Sequence, residues 1–146
     1  MILDLRKLKR SGKDQADFFF EYTPQDFDLD IPSATFDGAV KVNGTITLIG
    51  EHACLVEGEI NFTIKGECSR CLEDACNSYL VEFAENVEEN NEDGYSLKND
   101  TVDLALIVDD YLSMNIPVSF LCKDDCKGLC AGCGTNLNNG ECKCKN

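Results

Sequence analysis

Paired cysteines in the last 25 residues constrain this chain more than any other feature. Segment 122–146 reads CKDDCKGLCAGCGTNLNNGECKCKN and holds six of the ten cysteines. A segment so short and so poor in apolar side chains needs disulfides, a metal or a partner to keep a defined structure. Cys130 and Cys133 are separated by two small residues, which lets both thiolates face one ion. Cys142 and Cys144 follow an Asn-Asn-Gly turn, so both pairs can bind one tetrahedral ion.

Two further cysteine pairs complete the set. Cys68 and Cys71 lie in the middle of the chain, and Cys122 and Cys126 begin the tail. Eight paired thiols suffice for two four-cysteine Zn2+ sites, which have closed coordination shells and stabilise a fold. The predicted ligands form two groups: Cys130, Cys133, Cys142 and Cys144 in one, and Cys68, Cys71, Cys122 and Cys126 in the other. Cys122 and Cys126 could also exchange with a neighbouring pair, so other partitions stay open.

Hydrophobic periodicity predicts mainly antiparallel β structure in the rest of the chain. Apolar and polar side chains alternate over 39–49, 54–66 and 78–87, as in strands with one buried face. On the 54–66 strand this alternation places Cys54 in the core. A helix of about three turns is predicted near 103–114, with its apolar side on the sheet and its end before Pro117.

Shorter stretches are less regular. We expect short strands at 2–5 and 18–22, the second with an aromatic face. The composition of residues 26–37 predicts an irregular connection, and that of the acidic residues 85–100 predicts a solvated loop. Cys76 points away from the apolar face of its strand, which makes it a spare metal ligand.

Together these elements predict an α+β fold of mainly antiparallel β structure. The sheet would be a meander or a partly closed barrel-like sheet, with one covering helix and a C-terminal zinc-knuckle module. Residues 1–121 would form the β domain, and residues 122–146 would form a cysteine-rich zinc-binding tail packed on it. A length of 146 residues suits one domain with a small appended module.

The sequence also predicts where the chain resides. No apolar run reaches 18 residues, so no membrane-spanning helix is expected. The first residues lack the pattern of a secretory signal peptide. We therefore expect a cytoplasmic protein, in which thiols stay reduced and clustered cysteines bind metal more often than they form disulfides.

Charge narrows the choice of partner. The net charge is −14 and the isoelectric point is near 4.3, which disfavours nucleic-acid phosphates and suits a basic protein. Residues 1–13 differ, because their five basic side chains face only Asp4, which gives +4 there and −18 elsewhere. Should RNA bind, the candidate contacts are Arg6, Lys7, Lys9, Arg10 and, beside a cysteine pair, Arg70. A basic surface that only aids solubility is the alternative interpretation.

Other uses of the cysteines fit less well. The spacing of Cys126, Cys130 and Cys133 occurs in radical enzymes with an iron–sulfur cluster, but those need a large βα barrel. The four-cysteine runs of common bacterial ferredoxins are absent. A thioredoxin-like exchange role would require a cysteine pair at a helix start in a βαβ unit. Since His52 is the only histidine and no phosphate-binding glycine loop is present, we predict no enzymatic activity and no small-molecule substrate.

With these residues laid out, the chain resembles the YceD family of small bacterial and plastid proteins. The resemblance extends over essentially the whole chain and rests on six short stretches. They are LKRSG at 8–12, CSRCL at 68–72, IPV at 116–118, CKGLCAGCG at 126–134, NLN at 136–138 and CKC at 142–144.

The resemblance implies a role in accumulation of large-subunit ribosomal RNA, that is, in ribosome assembly. It implies no catalytic residue, because no enzymatic activity is established for the family. The gene of this family commonly neighbours that of a small large-subunit ribosomal protein. With the charge, this favours an acidic, zinc-containing assembly factor that binds a basic ribosomal protein, a large-subunit rRNA precursor, or both.

Two alternatives stay open. The first is a zinc-knuckle RNA-binding module that contacts RNA through Lys123, Lys127, Lys143 and Lys145. The second is a thiol redox or metal-binding protein, which a count of bound metal and free thiols would identify.

Overall fold

A computed structural model describes residues 1–24, 29, 31 and 33–144 of the chain. The helices are α1 (Arg6–Ser11) and α2 (Leu104–Asn115). The strands are β1 (Ile2–Asp4), β2 (Gln15–Tyr22), β3 (Ala34–Phe36), β4 (Val40–Ile49), β5 (Ala53–Glu67), β6 (Asp74–Glu89), β7 (Ser96–Leu97) and β8 (Thr101–Asp103). Lys145, a candidate RNA contact, and much of the predicted connection 26–37 lie outside the described residues.

One sheet has the strand order β2-β4-β5-β6-β7, and β3 pairs with β5 beside this path. The β2–β4 and β4–β5 pairs are antiparallel, whereas β6 and β7 run parallel, so the sheet is mixed. In the part of the chain that the structure describes, β2 and β7 end the path and do not pair with each other. The mainly antiparallel class is therefore confirmed, and the sheet does not close into a barrel. β1 and β8 form a separate antiparallel pair.

The predicted alternation is confirmed on the long strands. On β5 the even-numbered side chains are the buried ones, and Cys54, Val56 and Ile60 have no exposed surface. On β6 the buried positions are the odd-numbered Val81, Phe83 and Val87. Each strand thus contributes one apolar face to the core, because successive side chains point to opposite faces of a sheet. Cys54 therefore lies in the core, as its place in the alternation predicts.

Two facing glycines allow β4 and β5 to approach closely. Gly44 pairs with Gly58 in the β4–β5 register, and Phe18 of β2 lies beside Gly44. A Cβ atom on Gly44 would lie 2.1 Å from the carbonyl oxygen of Glu57 and 2.8 Å from the ring of Phe18. Only glycine fits here, because an added Cβ atom would overlap a backbone oxygen and a packed aromatic ring, and neither can move away.

The predicted helix is confirmed at α2, and one prediction about helices is wrong. The Asp103 side chain caps α2 by accepting a hydrogen bond from the Ala105 N–H, and the helix ends at Asn115, before Pro117. The sequence predicts one helix, whereas the described residues form two, and the second is α1. The six residues of α1 bury only Leu8, which is too few apolar positions for a helical period to be visible in the sequence.

Two predicted irregular stretches contain regular structure. Residues 34–36 form β3, which pairs with 64–66 of β5. Strand β6 continues through Glu89, so the predicted loop 85–100 begins later than expected, and Ser96 and Leu97 within it form β7. The three glutamates among residues 85–89 give this end of the strand the composition of a solvated loop.

The contacts divide the chain into two units. Unit 1 comprises 1–23, 39–62 and 79–116 and contains both helices. Unit 2 comprises 24–38, 63–78 and 117–146 and contains β3 and the paired cysteines. The proposed division at residue 121 stays a prediction. Among the described residues, neither helix has the length and apolar character needed to cross a membrane.

Candidate metal centres

Four thiols of unit 2 form the first cysteine group: Cys68, Cys71, Cys122 and Cys126. Their Sγ atoms all lie within 4.8 Å of one another. The Sγ atoms of Cys68 and Cys126 are 3.7 Å apart, and those of Cys71 and Cys122 are 3.6 Å apart. Sulfurs at about 2.3 Å from a tetrahedral Zn2+ ion are about 3.8 Å from each other, so this donor set fits zinc.

Three hydrogen bonds to backbone carbonyl oxygens bring the two halves of the first group together. The Ser69 N–H donates to the carbonyl oxygen of Phe120 at 2.8 Å, and Phe120 has no exposed surface. The Asn77 side chain donates to the Leu121 carbonyl oxygen at 2.7 Å. The Arg70 guanidinium donates to the carbonyl oxygen of Cys126 at 3.0 Å. The connection between β5 and β6 is thereby joined to the segment that follows α2.

The second cysteine group comprises Cys130, Cys133, Cys142 and Cys144. These Sγ atoms also lie within 4.8 Å of one another. Cys130 Sγ is 3.1 Å from Cys142 Sγ and 3.7 Å from Cys144 Sγ, and Cys133 Sγ is 3.7 Å from Cys142 Sγ. The eight thiols thus assemble in the same two groups that the sequence analysis favours. Their role as metal ligands stays a prediction.

The two groups share one turn geometry. In the first, the Leu72 N–H donates to the Cys68 carbonyl oxygen at 2.9 Å, and in the second the Gly134 N–H donates to that of Cys130 at 2.9 Å. The residue after each pair is left-handed, with φ of 62° at Leu72 and 73° at Gly134. This conformation is natural for glycine and costs an ordinary residue about 1–2 kcal/mol. Leu72 therefore holds a strained position, and its side chain is 55% exposed.

Two polar residues of the tail contact thiols, and neither is predicted as a site residue from the sequence. Asn138 lies in the loop of the second group, yet its amide donates to Cys126 Sγ of the first group at 3.3 Å and accepts from the Lys127 N–H. Thr135 contacts Cys133 Sγ through its hydroxyl at 3.1 Å. The sequence does not reveal such contacts, because they depend on how the loop folds back.

In each group, hydrogen bonds favour the thiolate form of particular cysteines. Burial opposes ionisation of Cys68, but several backbone N–H groups, that of Arg70 among them, lower the pKa of its thiol to about 6. Hydrogen bonds from the side chain and backbone of Thr135 lower the pKa of Cys133 to about 5. Preformed thiolates of this kind are the protonation state that a metal ion requires.

Other thiols of each group keep their protons more readily. Burial and the hydrogen bonds of neighbouring thiols raise the pKa of Cys122 to about 12. Hydrogen bonds with Cys142 and Cys133 raise the pKa of Cys144 to about 12. The thiol pKa values of Cys71 and Cys142 are raised as well. Without a cation, each group therefore retains at least two protons near neutral pH.

The structure places the predicted basic contacts in different environments. Arg6 forms an ion pair with Asp4 at 2.8 Å, and Lys9 forms an ion pair with Asp100 and a hydrogen bond with the Glu51 carbonyl oxygen. Lys7 and Arg10 are exposed and make no ion pair within the described residues. Arg70, as above, donates to the first cysteine group. Only part of the predicted basic surface is thus free of internal partners.

The two cysteines outside the groups have ordinary environments. Cys54 is fully buried, and burial raises the pKa of its thiol to about 11. Cys76 is exposed and hydrogen bonds to Asp37 Oδ2 at 3.5 Å. Cys76 is not a member of either group, so the predicted spare ligand is not part of a candidate metal site. Two closed four-thiol sets are suited to holding ions in place, because neither set leaves a position for a substrate.

Comparison with known proteins identifies relatives of this chain. An uncharacterized protein of Mycobacterium tuberculosis is 31% identical over 93 residues, which are 57% of this chain and 44% of that protein. An Arabidopsis thaliana protein named large ribosomal RNA subunit accumulation protein YCED homolog 1, chloroplastic, is 35% identical over 43 residues, or 30% of this chain and 13% of that protein. The chain therefore spans less than half the length of these relatives. No solved structure matches it.

One family model also matches. Its description is large ribosomal RNA subunit accumulation protein YceD, and it matches residues 56–146, which include both cysteine groups. The basic stretch 8–12 lies outside the matched residues. Because the match covers more than half of the chain, the chain belongs to the YceD family.

Proposed function

We propose that this protein is a non-enzymatic assembly factor of the large ribosomal subunit, which supports accumulation of its ribosomal RNA in the cytoplasm. The observation that carries the proposal is the family match over 56–146, together with the description of that family. The relative from Arabidopsis thaliana has a name with the same meaning. The matched residues contain no histidine, and among those that the structure describes no polar or charged residue is buried.

Each cysteine group binds one Zn2+ ion in this proposal. The support is the chemistry of the donors, since four thiolates in a tetrahedral arrangement select Zn2+ over hard cations such as Mg2+. The bound ion would neutralise part of the sulfur charge and fix the turns at Cys68–Leu72 and Cys130–Gly134. Because unit 2 has little other apolar core around 122–144, the two ions would supply much of its stability.

The partner that the charge favours is a basic ribosomal protein. At −14, the surface repels RNA phosphates over long distances and attracts the strongly basic segments that such proteins use for binding RNA. An acidic partner can cover these segments until the ribosomal RNA site is available. Binding of this kind weakens with salt, because much of it arises from attraction between exposed charges.

A pull-down with the zinc-loaded protein tests this assignment. The protein is incubated with dissociated large-subunit components in moderate salt, and both protein and RNA are identified in the bound fraction. We expect basic ribosomal proteins to be retained even after nuclease treatment. Recovery of RNA alone would contradict the assignment.

RNA binding through the basic N-terminal stretch is the second candidate. It is favoured by Lys7 and Arg10, which are exposed and have no ion-pair partner among the described residues. The double variant Lys7→Gln with Arg10→Gln removes these two charges. Replacement of Arg6 and Lys9 is the matched control, since both are already paired within the chain.

The salt dependence of RNA affinity separates the two candidates. Each neutralised phosphate of single-stranded RNA contributes about 0.7 to the slope of log affinity against log salt. A slope of several units that falls by about 1.4 in the Lys7 and Arg10 variant would favour direct RNA binding. An equal loss in the Arg6 and Lys9 control would indicate an unspecific charge effect. A further loss on replacing Lys123 and Lys127 would extend the contact to the zinc knuckles.

A further inference from the structure

The two cysteine groups differ in their exposure to solvent. In the first group, Cys68, Cys71 and Cys126 are only 0%, 3% and 4% exposed. In the second group, Cys133 and Cys142 are exposed, and the remaining two thiols are half-buried. A dissolved reagent can therefore reach two exposed sulfurs in the second group, whereas the first group offers only Cys122, which is half-buried.

The surroundings of the groups differ in the same sense. The partly buried side chains of Leu121 and Leu129 pack against the first group. The second group lies within one short loop, where the contacts to its sulfurs are the N–H groups of Gly132 and Cys144 and the hydroxyl of Thr135. Apolar cover slows oxidation of a thiolate, and exposure to water permits it.

We propose that the second cysteine group is a site of oxidation by small hydroperoxides, which join Cys130 and Cys142 as a disulfide and release the zinc ion held there. The first group keeps its ion under the same conditions. This inference rests on the zinc occupancy proposed above. It adds a redox-dependent change of the tail to a protein whose first metal centre stays intact.

The chemistry balances with a hydroperoxide as the oxidant. The Cys142 thiolate attacks the O–O bond, which breaks to give a sulfenic acid and an alkoxide that takes up a proton from water. The Cys130 thiolate then attacks the sulfenic sulfur, so the S–S bond forms and hydroxide leaves. Two electrons pass from two thiolates to the O–O bond, and both sulfurs lose the charge with which they bind zinc.

Geometry selects this pair of sulfurs. The Cys130–Cys142 separation of 3.1 Å is shorter than the Cys130–Cys144 and Cys133–Cys142 separations, both 3.7 Å. Cys142 is the exposed member of the pair and is oxidised first. After oxidation only Cys133 and Cys144 remain as thiolates, and two ligands do not hold a structural zinc ion.

Native mass spectrometry during oxidation tests the inference. Protein loaded with zinc is freed of reductant and treated with about one equivalent of hydrogen peroxide, and zinc and free thiols are counted over time. We expect a change from two ions to one with the loss of two thiols per chain. Peptide mapping should identify the Cys130–Cys142 disulfide, and dithiothreitol with zinc should restore the second ion.

Cys76→Ser is the matched control, because Cys76 is an exposed thiol outside both groups. This variant should lose one zinc ion at the same rate as the unchanged protein. Loss of both ions together, disulfides within the first group, retention of both ions, or dependence on Cys76 would overturn the inference. A count below two ions before peroxide is added would overturn it too, and it would separately contradict the proposed zinc occupancy.

Discussion

Replacing Gly134 with alanine should weaken metal binding at the second cysteine group alone. Gly134 has φ of 73° and donates its N–H to the Cys130 carbonyl oxygen at 2.9 Å, in the turn that presents Cys130 and Cys133. A Cβ atom added there would meet nothing within 4 Å, so no steric clash contributes. The effect of Gly134→Ala is therefore the conformational cost of a left-handed alanine.

The magnitude follows from two opposing terms. A left-handed conformation costs an L-residue about 1–2 kcal/mol. Alanine also restricts the unfolded chain, which returns about 0.4–1 kcal/mol. The net cost is about 1 kcal/mol, which corresponds to about a fivefold loss of zinc affinity when the turn forms only with the ion.

Gly140→Ala is the control with the opposite sign. Gly140 precedes Cys142, its φ is not positive, and an added Cβ atom would meet nothing within 4 Å. Alanine there restricts the unfolded chain without strain, so zinc affinity should be unchanged or slightly higher. Competition against a chromogenic chelator measures both constants. Equal effects of the two variants on zinc affinity, or an effect of Gly134→Ala on the first group, would show that the left-handed turn does not set the affinity of the second group.

Three further outcomes are expected. Because each group retains at least two protons near pH 7, zinc binding should release at least two protons per ion. The apparent zinc affinity should therefore fall at least about 100-fold for each unit by which the pH decreases. Calorimetry in buffers of different ionisation enthalpy measures the number of protons released. Gly44→Ala should lower the free energy of unfolding by at least about 1–3 kcal/mol, seen in denaturant titration, through overlap with Glu57 and Phe18. Arg70→Ala should weaken zinc binding at the first group by about 1 kcal/mol in chelator competition, since the hydrogen bond to Cys126 is lost.

The sequence predicts the large elements of the fold because their signals are periodic. Strands β4, β5 and β6 bury every second residue, and α2 begins at the Asp103 cap and ends before Pro117. Short elements have no period to detect. Helix α1 buries a single side chain, and β3 is three residues long and exists through its pairing with β5. Such elements depend on tertiary contacts that a local pattern does not contain.

The grouping of thiols is visible in the sequence for a related reason. The members of each pair lie two to four residues apart, so both thiols of a pair can reach the same site. The contacts around the sulfurs are not visible in this way. The bond from Asn138 to Cys126 and the strained conformation of Leu72 arise only when the loop and the turn close.

The claim on which this account depends is that two zinc ions are bound by sulfur alone. Zinc X-ray absorption spectroscopy on reduced protein of known metal content tests it most directly. We expect two ions per chain, each with four sulfur neighbours at about 2.3 Å. Nitrogen or oxygen atoms in the first shell, or fewer than two ions per chain, would contradict it.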